Sequence, residues 1–265
     1  MIESIPGRAG EQPLRVVRSS LFGAFPGLAF GLSTRAGGAS RPPYDLNLSF
    51  RVGDDEDAVR LNRRRFFGAL GLGEESLAIP QQVHGDTVRV ALAPGAYPDC
   101  DGLVSDREGV YLVISVADCV PVFAYDAVRG AVGAFHAGWR GSKLAIVARG
   151  IALMRAQFGS APQNIRAVIG QSAGPCCYEV GEEVAADFDE RFVLRKPGER
   201  PRLDLHGLNR DLLLSSGVPP GQIELLASCT ICHPEEFHSY RRDRDLSGRM
   251  MGVIGRRPTA PETAR

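Results

Sequence analysis

Two apolar runs stand almost back to back near the middle of the chain. They are "GVYLVISVADCVPVFAYD" and "GAVGAFHAGWRG", joined by the turn "DAVRG" at 126–130. The first is rich in β-branched and aromatic residues, the second begins as a run of small apolar residues, and both read as buried strands. A parallel pair needs a crossover of a dozen or more residues, and this turn is far too short for one, so the runs must be antiparallel. Helical segments interleave with strands over the rest of the chain. The expected class is therefore α/β with a mixed sheet, not a doubly wound parallel one.

The remaining elements follow from periodicity and punctuation. Residues 55–72, "DEDAVRLNRRRFFGALGL", place Val59, Phe66, Phe67 and Leu70 at helical spacing after an acidic start. "SLAIPQQVHGDTVRVAL" reads as strand–turn–strand. Residues 34–55 read as a long structured loop with a short strand at "NLSFRV", and residues 142–159 as one amphipathic helix ending on Gly159. "IRAVIGQSAG", "IELLASCTI" and "GRMMGVIG" supply further strands, while "GEEVAADFDERF" and "HGLNRDLLLSSG" supply helices. No repeat or linker divides the chain, so one domain over 1–265 is expected, with frayed ends at 1–12 and 256–265.

Composition narrows the function classes. With 265 residues, 44% of them hydrophobic, the chain has ample core-forming material. The formal net charge is zero, which argues against nucleic acid or an anionic membrane as partner. No apolar run approaches the roughly 20 residues that span a bilayer. The N-terminal stretch lacks the basic and apolar regions of a secretory signal, so a cytoplasmic location is expected. In that setting the six cysteines are expected as thiols or metal ligands rather than a disulfide framework.

His84, Cys119 and His136 stand out because each lies at or just after an apolar strand. Imidazole and thiolate are preferred zinc ligands, and three protein ligands leave a coordination position open for water or substrate. The alternatives are plainer: His84 capping a turn, Cys119 as a small packed hydrophobe, His136 as a satisfied interior histidine. A Cys119–His136 pair also suits metal-free nucleophilic catalysis. Asp118, next to Cys119 in an extended run, would face the opposite side. "CTIC" at 229–232 and "PCC" at 175–177 read as small core cysteines, with zinc or redox roles only weakly suggested. Arg35, Arg140, Arg241 and Arg242 form a second set, whose planar forks suit phosphate or carboxylate. The competing reading is that Asp243 and Asp245 pair with their neighbouring arginines.

The motifs "TRAGGAS", "YDLNLSFRVGDD", "VRLNRRR", "QQVHGDTV", "CDGLVSD", "VADCVPV", "FHAGWRG", "CCYEVGEEV", "CTICHP" and "FHSYRRDRDLSGR" occur in order over about residues 28–254. Together they closely resemble the laccase-domain family, also called the multicopper polyphenol oxidase, purine nucleoside phosphorylase or peptidoglycan editing factor family. The resemblance implies a four-layer α/β/β/α sandwich of two mixed sheets flanked by helices, similar to the catalytic domain of a Cys/His deamidating toxin. It implies a zinc ion held by His84, Cys119 and His136. It further implies phosphorolysis of purine nucleosides, including adenosine, inosine and methylthioadenosine, with adenosine deamination as a further activity. Asn47, Arg140 and Arg241 fall in matching motifs as binders of substrate or phosphate. "IGQSAGPCCYEVG" and "FHSYRRD" depart from the family pattern at the expected pocket rim.

Copper oxidation of phenols fits the residues poorly. A type-1 centre plus a trinuclear cluster needs roughly ten histidines. The chain has five, with no His-x-His pair. A Cys/His hydrolase or amidase, including one that edits cell-wall precursors, is the stronger alternative.

Overall fold

The computed structural model describes residues 1–7 and 12–259. Its first large sheet runs Ile2–Ile5 (β1), Leu14–Val17 (β2), Leu28–Ser33 (β3), Met250–Arg256 (β15), Tyr111–Val116 (β8), Leu77–Pro80 (β4) and Gly95–Tyr97 (β6). The second runs Ile223–Leu225 (β14), Ile165–Ile169 (β11), Val120–Asp126 (β9), Val132–Ala137 (β10), Gly102–Ser105 (β7) and Val88–Val90 (β5). Val193–Leu194 (β12) and Arg202–Leu203 (β13) form a small ribbon. The helices are Ser20–Gly23 (α1), Glu56–Ala69 (α2), Trp139–Lys143 (α3), Ile146–Phe158 (α4), Glu182–Ala185 (α5), Leu205–Ser215 (α6) and Tyr240–Asp243 (α7). Both large sheets mix parallel and antiparallel pairs. Among the described residues no helix is long and apolar enough to cross a membrane.

Alternation along the strands builds the layers. On β9, Phe123 and Tyr125 face the first sheet, while Val120, Val122 and Ala124 face the helices outside. On β8, Leu112, Ile114 and Val116 meet that same inter-sheet core, while Tyr111 and Val113 pack toward α2. Phe30 and Phe123 meet edge to face across the sheets, with ring centroids 5.0–5.2 Å apart along the Phe22–Phe30–Phe123 row. Phe66, Phe67 and Leu70 of α2 and its C-terminal end cover the first sheet. Ile146, Val147, Ile151 and Met154 of α4, with Leu205 and Leu213 of α6, cover the second. A sheet buried on both faces needs apolar residues at every position, which is why these runs are continuous rather than alternating. The result is the four-layer α/β/β/α sandwich.

Several expected elements are redrawn. The apolar run 109–126 is two strands in different sheets, broken at 117–119. The strands of "SLAIPQQVHGDTVRVAL" also belong to different sheets. "NLSFRV" is turn rather than strand, because Asn47 and Asn62 side chains satisfy that backbone in place of a ladder. The helix expected over 142–159 begins earlier and breaks at Ala145, which takes a left-handed φ of 58°. Residues 2–5, in the stretch expected to fray, pair with β2. Thr259, in the other such stretch, bonds Glu108. Residues 8–11 and 260–265 lie outside the described residues.

One glycine tests the packing between α4 and β10. In a helix interior Gly→Ala normally gains about 1 kcal/mol. A Cβ on Gly150, however, would lie 2.2 Å from Cε1 of Phe135, which is fully buried in β10. Overpacking of that kind costs about 1–3 kcal/mol, so Gly150→Ala is expected to lower the urea midpoint. A raised midpoint would show that this contact is looser than described.

Candidate active site

Topology brings the site together. Strands β4, β6 and β8 run parallel, so their C-terminal ends share one end of the sandwich. From those ends the chain crosses to the second sheet, as β5, β7 and β9. The three crossings carry His84, Asp101 and Cys119 respectively. Strand β10 runs antiparallel to β9, with His136 opposite Pro121 and Ala137 opposite Val120, so His136 returns to that end.

Asp101 fixes two of these segments at once. Its fully buried carboxylate accepts the backbone N–H groups of Val83, His84 and Gly85 at 3.1, 2.9 and 2.8 Å. It also lies 2.8 Å from Nδ1 of His136, and its backbone carbonyl accepts the His136 N–H at 2.7 Å. Burial alone would raise the Asp101 pKa, but the His136 bond and the backbone donors outweigh it and hold the carboxylate below its ordinary range. With Nδ1 committed to Asp101, His136 has Nε2 left for the site. His84 has a φ of 61° and Asp118 one of 88°, conformations uncommon outside glycine. Each is held by hydrogen bonds: His84 through Asp101, and Asp118 through the Thr230 hydroxyl and the Arg241 N–H, both at 2.6 Å.

His84, Cys119 and His136 offer ligand atoms that all lie within 4.8 Å of one another. His84 is exposed, Cys119 half-buried and His136 buried, so the group opens to solvent on one side. The two imidazole rings meet edge to face at 4.9 Å. Burial pushes the Cys119 thiol up, but the charge and hydrogen bond of His136 and the bond to His84 overcome it and bring its pKa to about 6. Burial likewise pushes His136 down, while Cys119 and Asp101 raise it to about 9. Without a metal, both shifts favour the thiolate–imidazolium form of the pair. Gly138 has an ordinary φ of −67°, so its role is room rather than a sharp turn. A Cβ there would sit 3.1 Å from the Cys119 sulfur, and one on Gly141 would sit 2.8 Å from the Gly85 carbonyl.

The group lies in the wall of a cavity of about 1090 Å³. Arg140 lines it, exposed, stacked 4.5 Å over Trp139, its guanidinium making no ion pair or hydrogen bond among the described residues. Arg241 also lines it, 5.0 Å over Tyr178 and donating to the Glu179 carbonyl. Arg249, overlooked in the sequence, adds a third guanidinium, 5.3 Å over Tyr240. Burial lowers its pKa against the pull of Tyr240, Asp118 and Cys119.

Other expected site residues fall elsewhere. Arg35 is outside the cavity lining; its fork is occupied by the Asp45 carboxylate and the carbonyls of Pro43 and Pro234. Asn47 is fully buried and bonds Ser49 and Asp54. It also accepts the backbone N–H of Arg249 at 2.9 Å, which makes it a positioning residue for that arginine. Arg242 pairs with Asp243, which meets that half of the competing reading; Asp245 makes no ion pair with a neighbouring arginine among the described residues. Asp118 is not turned away from the site: because 117–119 leaves the extended backbone, it lines the same cavity as Cys119.

Residues 29–257 match the family model described as multi-copper polyphenol oxidoreductase laccase. Among curated relatives, a purine nucleoside phosphorylase, YlmD, from Geobacillus stearothermophilus is 36% identical, covering 88% of this chain and 92% of that protein. A purine nucleoside phosphorylase of Deinococcus radiodurans is 42% identical, covering 84% and 87%. The crystal structure of YlmD from Geobacillus stearothermophilus superposes with a TM-score of 0.85 at 34% identity, covering 96% of this chain and 99% of that one.

The thiolate–imidazolium pair has a direct reading in solution. In chelator-treated protein, alkylation of Cys119 by iodoacetamide is expected to rise with pH through a midpoint near 6, since the thiolate forms above its pKa. Peptide mass spectrometry separates it from Cys100 and Cys176, whose thiols are pushed up to about 11. A Cys119 midpoint between 8 and 9, the range for an unperturbed thiol, would contradict the pairing.

Proposed function

The chain belongs to the multi-copper polyphenol oxidoreductase laccase family, and on that premise we propose that it is a zinc-dependent purine nucleoside phosphorylase. The observation that carries this reading is the His84–Cys119–His136 group in the wall of an arginine-lined cavity. Relatives named purine nucleoside phosphorylase at 36–42% identity support it. Two imidazoles and a thiolate in mutual reach suit zinc, with a coordination position open toward the cavity. The remaining histidines are placed elsewhere. His206 bonds Ser172, His238 is buried, and His233 sits at the surface beside Glu235. That distribution disfavours a multi-copper centre on ligand count.

When bound, zinc supplies a Lewis acid and lowers the pKa of its water. The chain's own residues supply the rest. Arg140 offers to phosphate a fork with no partner among the described residues, with Arg241 and Arg249 as further cationic contacts. Trp139, Tyr178 and Tyr240 offer aromatic surface to a purine. As phosphate attacks the anomeric carbon and the base departs, negative charge grows on the purine; with His136 committed through Nδ1 to Asp101 and through Nε2 to the metal, the proton that neutralises the leaving base comes from water in the open cavity. Adenosine, inosine and methylthioadenosine are the proposed substrates. With water in place of phosphate, the same cavity serves hydrolytic deamination of adenosine. Arg35 and Asn47 are assigned to holding the loop rather than the substrate.

The depressed Cys119 pKa favours a second reading, a Cys/His hydrolase or amidase with Cys119 as nucleophile and His136 as its partner. Metal removal separates the two: phosphorolysis is lost on chelation and restored by zinc, whereas thiol-based hydrolysis survives chelation.

Phosphate dependence tests the main reading. Adenosine or inosine should yield free base and ribose 1-phosphate only when phosphate is supplied, and base release at an equal rate without phosphate would reject it. Arg140→Lys keeps the charge but loses the fork. It is expected to cost about 2 kcal/mol, or roughly 30-fold in kcat/KM for phosphate, with metal content unchanged. Unchanged phosphate kinetics would move the anion to Arg241 or Arg249.

A further inference from the structure

Four cysteines that the catalytic group does not use come together on another part of the molecule. Cys176 and Cys177 follow β11 in a tight turn, and Cys229 and Cys232 follow β14. Their sulfurs all lie within 4.8 Å of one another. Those of Cys176 and Cys177 are 3.6 and 3.3 Å from that of Cys232. Four sulfurs tetrahedral around zinc at about 2.3 Å would be about 3.8 Å apart, so this spacing is close to that of a mononuclear site.

The backbone around Cys229 is arranged for a thiolate. The Gly174 N–H points at its sulfur at 3.3 Å, and the N–H groups of Ile231 and Cys232 also bond it. Two successive amides turned onto the first sulfur of a Cys-x-x-Cys turn stabilise negative charge there. The Arg242 guanidinium binds the Thr230 and Ile231 carbonyls at 2.8 and 3.4 Å, placing positive charge beside the turn. Gly174 closes the other side: a Cβ there would lie 3.3 Å from the Cys176 sulfur and 3.2 Å from Cβ of Cys229. Cys176 and Cys232 are exposed, so an ion can enter from solvent.

We propose that Cys176, Cys177, Cys229 and Cys232 form a structural, all-thiolate zinc site, separate from the His84–Cys119–His136 group. Binding expels the thiol protons to solvent and leaves no open coordination position. The ion clips the segment after β11 to the segment after β14. A bridge between Ser172 and Cys229 already aligns them, with the Thr230 N–H on the Ser172 carbonyl at 3.0 Å. The clipped segments carry Tyr178 and Thr230, and Thr230 holds Asp118 beside Cys119. The site therefore braces one wall of the cavity. The proposal stands on the cysteine cluster and does not depend on what the cavity does.

The test uses full-length Cys119→Ala protein, isolated under argon without added metal. That variant removes a ligand of the other group and leaves these four cysteines intact. One zinc per chain is expected. Exchange for Co2+ should give the intense thiolate-to-cobalt absorption of a four-sulfur site, and bound metal should protect the exposed Cys176 and Cys232 from alkylation until a chelator removes it. Absence of metal, together with four freely alkylated thiols, would overturn the proposal. So would an intact mass about 2 Da low, which would make the cluster a disulfide pair, or iron in place of zinc. If the zinc reading of the cavity is wrong, wild-type protein also binds one zinc, and Cys119→Ala leaves it in place. If the four-cysteine site is wrong, Cys119→Ala shows no thiolate-to-cobalt band.

Discussion

The Asp101 carboxylate is the constraint on which the site depends. It has two oxygens, and they receive three consecutive backbone N–H groups from 83–85 together with Nδ1 of His136. A buried carboxylate is costly unless its lone pairs are filled, and here four donors fill them. The same bonds settle the backbone at His84 and the ring orientation of His136. Neither could be set by packing alone, because His84 is exposed and sits at positive φ. Cys119 then completes the group through the charge it shares with His136.

This arrangement follows from how the chain is laid between its two sheets. From Leu77 to Asp126 each successive strand changes sheet, and the parallel alignment of β4, β6 and β8 sends all three outward crossings over the same end. Crossings cannot keep the sheet ladder, so their polar backbone must be satisfied by side chains. Asp101 does this for 83–85, while Asp118, itself on a crossing, accepts the Arg241 N–H in the first turn of α7. The carboxylates of the crossings thus tie neighbouring segments to the end of the sandwich where the cavity lies. The inter-sheet core, with Phe30 against Phe123, keeps the two layers in fixed relation beneath it.

Much of this was legible in the sequence. The antiparallel β9–β10 pair followed from a turn too short for any other connection, and His84, Cys119 and His136 followed from their ligand types at strand ends. The break at 117–119 was hidden because both halves of the run are equally apolar: each strand is buried on both faces, whichever sheet it joins. Asp101 was missed because a carboxylate beside a cysteine carries no ligand signal until its donors, 16–18 residues away, are known. For a related reason the sequence could not show that Arg35 and Asn47 are already engaged. Sequence displays a donor but not whether Asp45 or Asp54 already occupies it. The pairs at 176–177 and 229–232 looked like core cysteines because each was read alone.

The claim that Asp101 preorganises the site is tested most directly by Asp101→Asn. Zinc affinity would be measured by competition with a chromogenic chelator, alongside thermal unfolding of the metal-free protein. An amide cannot accept at both positions, so one group of donors is left unsatisfied and His136 loses its anionic partner. Zinc affinity is expected to fall by about 10–100-fold, with a lower Tm for the metal-free protein. Wild-type zinc affinity and an unchanged Tm in Asp101→Asn would contradict this account, and would mean that the surrounding sheets alone hold His84 and His136 in place.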